Sequence, residues 1–310
     1  MKILKHFPLL SLLLLNLIAA CQNQNTDLIK AGILKEGSKI EKAVGGFEFT
    51  EGPAWSPEGY LLFSDIPANK IYKYMPTGVV SEFRTPSHNS NGLAFDNEGS
   101  LIICEHSSRG LRKVNKEGKE TLIASLFDGK KLNSPNDLAI HSNGSIYFTD
   151  PPYGLKEGDQ DSAKHISYNG IYRLRRGEVT LMDTSMVRPN GIAFSPDEKY
   201  VYVAQSEKYP HWKRFELAPD GSFKKGALFF DAAKLSGDGT PDGMKCDIQG
   251  NLYCSAPGGI AIFNKQGKHL GTIEVPEVTA NCAFGDVDKK TLYITANKSL
   301  YKIRVAIKGK

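Results

Sequence analysis

Short apolar and aromatic runs separated by turn residues follow one another along most of this chain. Leu101-Ile102-Ile103-Cys104 comes after the turn Asp96-Asn97-Glu98-Gly99, and Tyr200-Val201-Tyr202-Val203 comes after Ser195-Pro196-Asp197-Glu198. Runs of this length with turn residues between them are typical of β-strands, and the chain shows little sign of long amphipathic helices. The pattern therefore predicts an all-β protein.

One five-residue phrase recurs six times. It begins with an acidic or amide residue, continues with Gly in most copies, and ends in apolar residues that lead into a turn and a second strand. The copies are Glu51-Gly52-Pro53-Ala54-Trp55, Asn91-Gly92-Leu93-Ala94-Phe95, Asn136-Asp137-Leu138-Ala139-Ile140, Asn190-Gly191-Ile192-Ala193-Phe194, Asp242-Gly243-Met244-Lys245-Cys246 and Asn281-Cys282-Ala283-Phe284-Gly285.

The phrases start 40, 45, 54, 52 and 39 residues apart. Blades of four strands in a β-propeller have about this length, so six phrases predict a six-bladed β-propeller. Residues 39–49 have strand character and precede the first phrase, and we expect them to supply the outer strand of the last blade. The two longest steps place extra chain at 153–169 and around either 205–214 or 232–239, where loops would surround the mouth of the propeller.

The first residue of every phrase carries a side-chain oxygen. A single Asn-Gly or Asp-Gly is most simply a turn, but six in register predict a ring of oxygens at the axis: Glu51, Asn91, Asn136, Asn190, Asp242 and Asn281. Two carboxylates with amides suit Ca²⁺ first, then Mg²⁺ or Mn²⁺, with Zn²⁺ only as an adventitious ion. Whether such a metal serves catalysis or only joins the blades stays open at this point.

The first twenty residues are typical of a secretory leader. Two lysines precede an apolar run of fourteen residues, which is too short to cross a membrane. The following Ile18-Ala19-Ala20-Cys21 resembles the lipobox of bacterial lipoproteins, which implies cleavage before Cys21 and its lipidation. We therefore expect a signal peptide over 1–20, a tether over 21–38 and a propeller over 39–310, with lipid anchoring of the protein in a bacterial cell envelope.

Charge and motifs narrow the function classes. The formal charge of +5 falls to +3 without Lys2 and Lys5, which is too little to indicate a nucleic-acid partner. The chain contains no G-x-S-x-G elbow and no nucleotide-binding glycine loop. Cys246 and Cys254 flank a turn and could form a disulfide in an exported protein. The alternative is that Cys104, Cys246, Cys254 and Cys282 are all buried as small apolar side chains.

Several motifs together resemble the senescence-marker-protein/gluconolactonase/luciferin-regenerating family, and its bacterial gluconolactonase branch in particular. The resemblance covers about residues 47–303 and rests on Glu51-Gly52-Pro53-Ala54-Trp55, Cys104-Glu105-His106-Ser107, Ser134-Pro135-Asn136-Asp137-Leu138, Phe148-Thr149-Asp150-Pro151-Pro152-Tyr153-Gly154, Arg188-Pro189-Asn190-Gly191 and Pro241-Asp242-Gly243-Met244. It implies a six-bladed propeller that holds one divalent metal through Glu51, Asn136, Asn190 and Asp242. Animal members have an arginine where this chain has Ser134, so their sugar contacts do not transfer.

The resemblance also implies hydrolysis of a cyclic ester such as an aldonolactone. The metal would act as a Lewis acid and Asp242 as the base. For substrate binding the candidates are Asn91, His106, Arg109, Tyr153, His211 and Asn281. Two alternatives stay open: hydrolysis of other lactones or of phosphotriesters on the same site, and a ligand-binding propeller with a structural metal. The sequence leaves the oligomeric state undetermined.

Overall fold

Each of the six phrases forms the innermost strand of a four-stranded antiparallel sheet or leads directly into it, and the six sheets surround one axis as the blades of a β-propeller. The computed structural model describes residues 26–310. From the axis outward, blades 1 to 3 comprise Thr50–Trp55, Leu61–Asp65, Lys70–Tyr74 and Val80–Arg84; Ser90–Phe95, Leu101–Glu105, Gly110–Val114 and Glu120–Ala124; and Leu138–Ile140, Ile146–Asp150, Gly170–Arg175 and Glu178–Asp183.

Blades 4 to 6 follow the same order. They comprise Pro189–Phe194, Tyr200–Gln205, His211–Glu216 and Ala227–Asp231; Met244–Cys246, Leu252–Ala256, Gly259–Phe263 and His269–Glu274; and Thr279–Gly285, Thr291–Ala296, Ser299–Arg304 and the N-terminal strand Glu41–Gly45. Outside the blades lie a small hairpin, Leu126–Phe127 with Lys130–Lys131, and two short 3-10 helices, Gly158–Gln160 and Ala232–Lys234.

The first strand of the chain closes the ring. Glu41–Gly45 pairs antiparallel with Ser299–Arg304, so blade 6 takes its outer strand from the opposite end of the chain. This confirms the strand that the sequence predicts within residues 39–49. Closure leaves only short blade edges unpaired, which protects a β-rich chain against edge-to-edge association.

The glycine that follows the lead residue in most phrases allows the inner strands to approach one another. A Cβ on Gly52 would lie 1.9 Å from the carbonyl oxygen of Asn91, and one on Gly243 would lie 1.8 Å from the side-chain carbon of Asn281. Neither distance is compatible with a side chain. Close approach at the axis therefore requires these two glycines, and Gly52 in addition has a φ of 51°, which favours glycine.

Between neighbouring blades the core consists of apolar and aromatic side chains. Trp212 of blade 4 and Phe263 of blade 5 pack with ring centroids 5.1 Å apart, and within blade 3 Phe148 stacks on Tyr172 at 5.5 Å. Burial of such rings supplies the main stabilising contribution, because each removes a large apolar area from water.

Residues 26–34 pack against the propeller. The chain is helical over 26–30, and Leu28, Ile33 and Leu34 are buried in the apolar cluster of blades 5 and 6. The backbone N–H of Ala306 donates to the carbonyl of Ile33 at 2.8 Å. The part of the predicted tether that the structure describes is therefore not free of the propeller. The predicted leader and Cys21 lie outside the described residues.

The cysteines of the blades are free and buried. Cys104, Cys246, Cys254 and Cys282 form no disulfide, and Cys254 pairs across the strands with Met244 rather than with Cys246. The structure thus agrees with the interpretation of these side chains as apolar core residues. Within residues 26–310 no helix is long and apolar enough to span a bilayer.

Candidate functional site

The six lead side chains of the phrases meet at the axis. Five are buried and Asp242 is partly exposed. Asn91 donates through Nδ2 to Oδ1 of Asn136 at 2.5 Å, and Asn136 donates in the same way to Asn190. On the other side of the ring Asn281 donates to Oε2 of Glu51 at 3.1 Å. The predicted convergence of oxygen-bearing side chains is therefore present, and we call these six residues the axial ring.

Two solvent-inaccessible oxygens of the axial ring lack a donor. Oδ1 of Asp242 and Oδ1 of Asn91 are inaccessible to solvent and accept no hydrogen bond from the described residues. A buried acceptor without a partner is costly, and such atoms usually indicate a missing ligand or water. The donor set, with carboxylate and amide oxygens and no thiolate, fits a hard divalent cation.

The ring is dominated by negative charge. Burial, and after it the nearby charge of Asp137, raise the pKa of Glu51 to about 7. Burial also raises the pKa of Asp242 well above its usual range, with further contributions from Glu51 and Asp137. Carboxyl groups that resist ionisation together are stabilised as anions when a cation lies between them. Within the described residues no three His, Cys, Asp or Glu side chains form a metal cluster, so amide oxygens must complete any ligand set.

His106 lies beside the ring. It is buried, and its Nε2 is 3.5 Å from Nδ2 of Asn91. Burial lowers the pKa of His106 to about 4, so the imidazole is neutral near pH 7. A neutral imidazole can donate or accept a single hydrogen bond to a bound molecule, but it does not repel a cation in the ring.

The loop over residues 151–169 covers this end of the axis and is held by Ser134. The hydroxyl of Ser134 donates to the carbonyl of Pro151 at 2.7 Å and accepts from the N–H of Gly154 at 2.8 Å. Tyr153 is 38% exposed at the rim, while its hydroxyl lies beside Ser206. Burial raises the pKa of Tyr153, and the charge of Asp242 raises it further. The loop thus brings a neutral phenol towards the axial ring.

Three of the predicted substrate contacts are already engaged by the protein. The Arg109 guanidinium donates to the backbone carbonyls of Leu132 at 2.7 Å and Ala163 at 2.6 Å, which gives it a role in supporting the loop. The Nδ1 atom of His211 lies 2.7 Å from the carbonyl oxygen of Tyr209, so its hydrogen bond is made within its own loop. The Nδ2 group of Asn281 donates to Glu51, and its Oδ1 accepts from the N–H of Cys282. Asn91, His106 and Tyr153 remain next to the axis.

Comparison with known proteins supports this architecture. The model of the SMP-30/Gluconolactonase/LRE-like region matches residues 49–298, which include all six blades' inner strands. This chain belongs to that family. The match confirms the resemblance that the sequence motifs indicate.

Known members of the SMP-30/gluconolactonase/LRE-like family align over most of the chain. A gluconolactonase of Zymomonas mobilis is 36% identical over 300 residues, covering 89% of this chain and 84% of the relative. The structure of a gluconolactonase from Xanthomonas campestris superposes with a TM-score of 0.81 at 30% identity, covering 89% and 92% of the two chains. Regucalcin of Agrobacterium tumefaciens, described as a calcium-binding protein, has a TM-score of 0.73 at 21% identity, covering 88% and 95%. The last likeness concerns the fold alone.

Three residues of this family member contribute to the axial region although the sequence analysis did not select them. Ser206 accepts from Nδ2 of Asn190 at 2.9 Å and donates to the carbonyl of Pro241 at 2.6 Å. Asp137 follows Asn136, where four of the other phrases have Gly. Lys245 stands at the fourth phrase position, where four other phrases have Ala. The departures from the repeat at Asp137 and Lys245 are visible in the sequence and distinguish these two residues from their counterparts.

A second opening lies on the other side of the ring. A cavity of about 500 Å³ is lined by the later phrase residues, including Trp55, Phe95, Phe194 and Lys245. None of the six lead residues lines this cavity. The unpartnered oxygens, His106 and Tyr153 therefore define the candidate active site at the opposite end, beneath the loop over 151–169.

Proposed function

We propose that this protein hydrolyses an aldonolactone such as gluconolactone to the open acid, with a divalent cation, Ca²⁺ by preference, held by Glu51, Asn136, Asn190 and Asp242. The coarser assignment, a hydrolase of lactone bonds, is supported by gluconolactonase relatives at 36% and 30% identity over nearly the whole chain. A calcium-binding neighbour of the same fold is consistent with the choice of ion. The observation that carries the proposal is the axial ring itself, in which Oδ1 of Asp242, one of the four proposed ligands, is buried without a donor.

The cation would supply Lewis-acid stabilisation of the negative charge that develops on the lactone carbonyl oxygen. Hydrolysis adds water to the carbonyl carbon and breaks the ring C–O bond, so one proton must leave the water and one must reach the ring oxygen. We assign the first transfer to Asp242, because its Oδ1 has no donor among the described residues and its charge acts on Tyr153 of the loop over 151–169. A bound cation would lower the pKa of Asp242 and make it a weak base. Its effectiveness would therefore come from being held close to the attacking water.

The surrounding residues would bind and orient the lactone. Tyr153 presents a neutral hydroxyl from the loop, and neutral His106 lies beside Asn91. Such groups can bind the hydroxyls of a sugar lactone without adding charge. Attachment to the cell envelope through Cys21 remains a separate proposal that rests on the lipobox alone.

Activity assays of Asp242→Asn, with Asp238→Asn as the control, test the proposal. Asp238 is exposed and lies in the loop that precedes Asp242. We expect D242N to lower kcat on gluconolactone, followed by proton release, by about 10²–10⁴-fold, the usual loss on removing a general base, and D238N to keep its activity. A chelator should abolish activity and added Ca²⁺ should restore it.

A panel of lactones and a phosphotriester distinguishes the alternatives. If the protein hydrolyses a different lactone or the phosphotriester faster than gluconolactone, the class of that compound replaces aldonolactones as the proposed substrate. Metal-dependent thermal stability without hydrolysis of any compound would favour a ligand-binding propeller. Undiminished activity of D242N, or of protein stripped of metal, would contradict the proposed mechanism.

A further inference from the structure

The cavity on the other side of the ring is a pocket that the proposed reaction does not use. Its volume is about 500 Å³, and neither the lead residues nor the loop over 151–169 line it. Cavities of about 300–1,000 Å³ are typical of sites for small molecules. We call it the far cavity, and it is large enough for a ligand other than the lactone.

The wall of the far cavity is largely apolar. Five blades each contribute one large apolar side chain, and four of the five are partly exposed: Trp55, Phe95, Ile140 and Phe284, with Phe194 buried. Trp55 stacks on Tyr293 with ring centroids 5.7 Å apart, and Phe284 lies edge-on to Tyr253 at 5.0 Å, so packing fixes both rings. A concave apolar surface that meets water gains free energy when an apolar molecule covers it.

Polar groups at the rim of the far cavity are paired with one another. Asn97 donates through Nδ2 to the carbonyl of Ser142 at 3.1 Å. The carboxylate of Glu198 accepts from the N–H of Ser142 at 3.1 Å and from Nζ of Lys310 at 2.7 Å. These bonds connect the turns of blades 2, 3 and 4, and they leave the negative charge of Glu198 compensated.

Lys245 is the charged group of the wall that has no such partner. Its ammonium donates to the carbonyl of Met244 at 3.0 Å, and no carboxylate of the described residues forms an ion pair with it. An ammonium carries three donors, so two remain for a ligand. Lys289 also lines the cavity, but it is exposed at the rim, where water and salt screen its charge.

We propose that the far cavity binds a small molecule with one carboxylate and an apolar chain or ring. The carboxylate would pair with Lys245, and the apolar part would cover Trp55 and Phe284. Charge complementarity decides the class of ligand, because a neutral molecule would leave the partly buried ammonium without a counter-charge and an amine would be repelled by it. The inference does not depend on the proposed function, since the axial ring takes no part in it.

Calorimetric titration with octanoate, octanol and octylamine tests the charge preference. These probes share one chain and differ in the head group, so we expect octanoate to bind about tenfold or more tighter than octanol, and octylamine more weakly than either. Gluconate has the carboxylate without the apolar chain and should not compete with octanoate.

Variants assign the charge preference to one lysine. Lys245→Met retains the long side chain without its charge, so it should weaken octanoate by about tenfold or more and leave octanol within about twofold. Lys268→Met is the control, because Lys268 is an exposed lysine of blade 5 outside the cavity, and it should change neither affinity.

Tryptophan fluorescence locates the bound chain. The protein has two tryptophans, of which Trp55 lines the far cavity and Trp212 is fully buried elsewhere. Bromine quenches tryptophan on contact, so 8-bromooctanoate should quench the wild type and Trp212→Phe but not Trp55→Phe. Ala139→Phe adds a ring to the cavity wall, and it should abolish binding of all three probes without removing any contact of the core.

Three results would overturn the inference. The first is the absence of saturable octanoate binding to the wild type, and the second is equal octanoate affinity in K245M and the wild type. The third is self-association of the wild type that A139F abolishes, without binding of octanoate, because it would assign the cavity to a second copy of this chain. Circular dichroism and melting of each variant verify that a lost affinity does not come from a lost fold.

Discussion

Residues of the same type have different tasks within the axial ring. Asn91, Asn136 and Asn190 are joined by amide hydrogen bonds in one direction around the ring. Asn281 is turned towards Glu51 and binds its carboxylate instead. An amide can act in either way because it carries both a donor and an acceptor, so the neighbours of each asparagine determine which oxygen is left for a ligand.

Ser206 determines the orientation of Asn190. Because its hydroxyl accepts from Nδ2 of Asn190, Oδ1 of that side chain is directed to the ring. Ser206→Ala should leave the amide without this partner, and we expect at least a several-fold weaker affinity for Ca²⁺ together with a lower kcat. Ser206→Thr retains the hydroxyl and should restore most of both. Equal Ca²⁺ affinity in S206A and the wild type would contradict the assignment.

Asp150 makes the stability of the protein depend on pH. Burial raises the pKa of Asp150 to about 7, and its Oδ1 has no partner. The unfolded chain releases this proton near pH 4, so the folded state binds it more tightly. Its contribution to stability is full below about pH 4 and is lost as the pH rises through 7.

The variant Asp150→Asn should remove this component. With Ca²⁺ present, the melting temperature of the wild type should fall relative to that of D150N as the pH is raised from 5 to 8. The carbonyl of the asparagine can still accept from the N–H of Asn133, which Asp150 binds at 2.7 Å. Parallel melting curves over this range would show that the carboxyl is ionised throughout.

At the scale of elements, the loop over 151–169 is the part of the fold that most directly shapes the mouth. It is an insertion between the second and third strands of blade 3. Ser134 holds its beginning through Pro151 and Gly154, and Arg109 holds its later part through Ala163. Loops with several such bonds to rigid strands are ordered enough to position a ligand group.

Loss of the Arg109 contacts should loosen this loop. For Arg109→Met we expect faster tryptic cleavage after Lys156, which is exposed, and a higher KM with a smaller change in kcat. Arg175→Met, at the exposed C-terminal end of the third strand of blade 3, removes a tryptic site as well and serves as the control. If R109M and the wild type are cleaved at the same rate, Arg109 does not support the loop.

At the scale of the whole molecule, the N-terminal region contributes to the stability of the ring. The strand Glu41–Gly45 completes blade 6, and residues 26–34 cover blades 5 and 6 from outside. Chain segments that join the two ends of a closed structure stabilise every blade, because the ring cannot open without losing them.

Truncation of one buried side chain tests this contribution. Leu28 is fully buried, so Leu28→Ala should cost about 2–5 kcal/mol and lower the melting temperature by about 2–4 °C per kcal/mol. The exposed neighbour Asp27, changed to Ala, should have little effect. Identical melting of L28A and the wild type would mean that residues 26–34 behave as a free tether.

Periodicity made the propeller and the axial ring predictable. Every blade repeats the same geometry, so the lead residues and most of the glycines recur at positions that a repeat of about 40 to 50 residues indicates, and the strand missing from the last blade is expected before the first phrase. Side chains at equivalent positions of a closed ring must meet at the axis, whichever loops connect them. The convergence of Glu51 and Asp242 with four asparagines required no further information.

Contacts that form at only one of the six equivalent positions could not be predicted from the repeat. Asp137 reaches Asn281 across the axis, Ser206 reaches Asn190 from a neighbouring strand, and Arg109 is satisfied by carbonyls of two loops. Such contacts depend on distances between segments far apart in the chain, which a repeating pattern does not contain. They arise when the blades pack. In the packed structure Arg109 supports the loop over 151–169 and Asn281 binds Glu51, whereas Oδ1 of Asp242 is left without a donor and can bind a ligand.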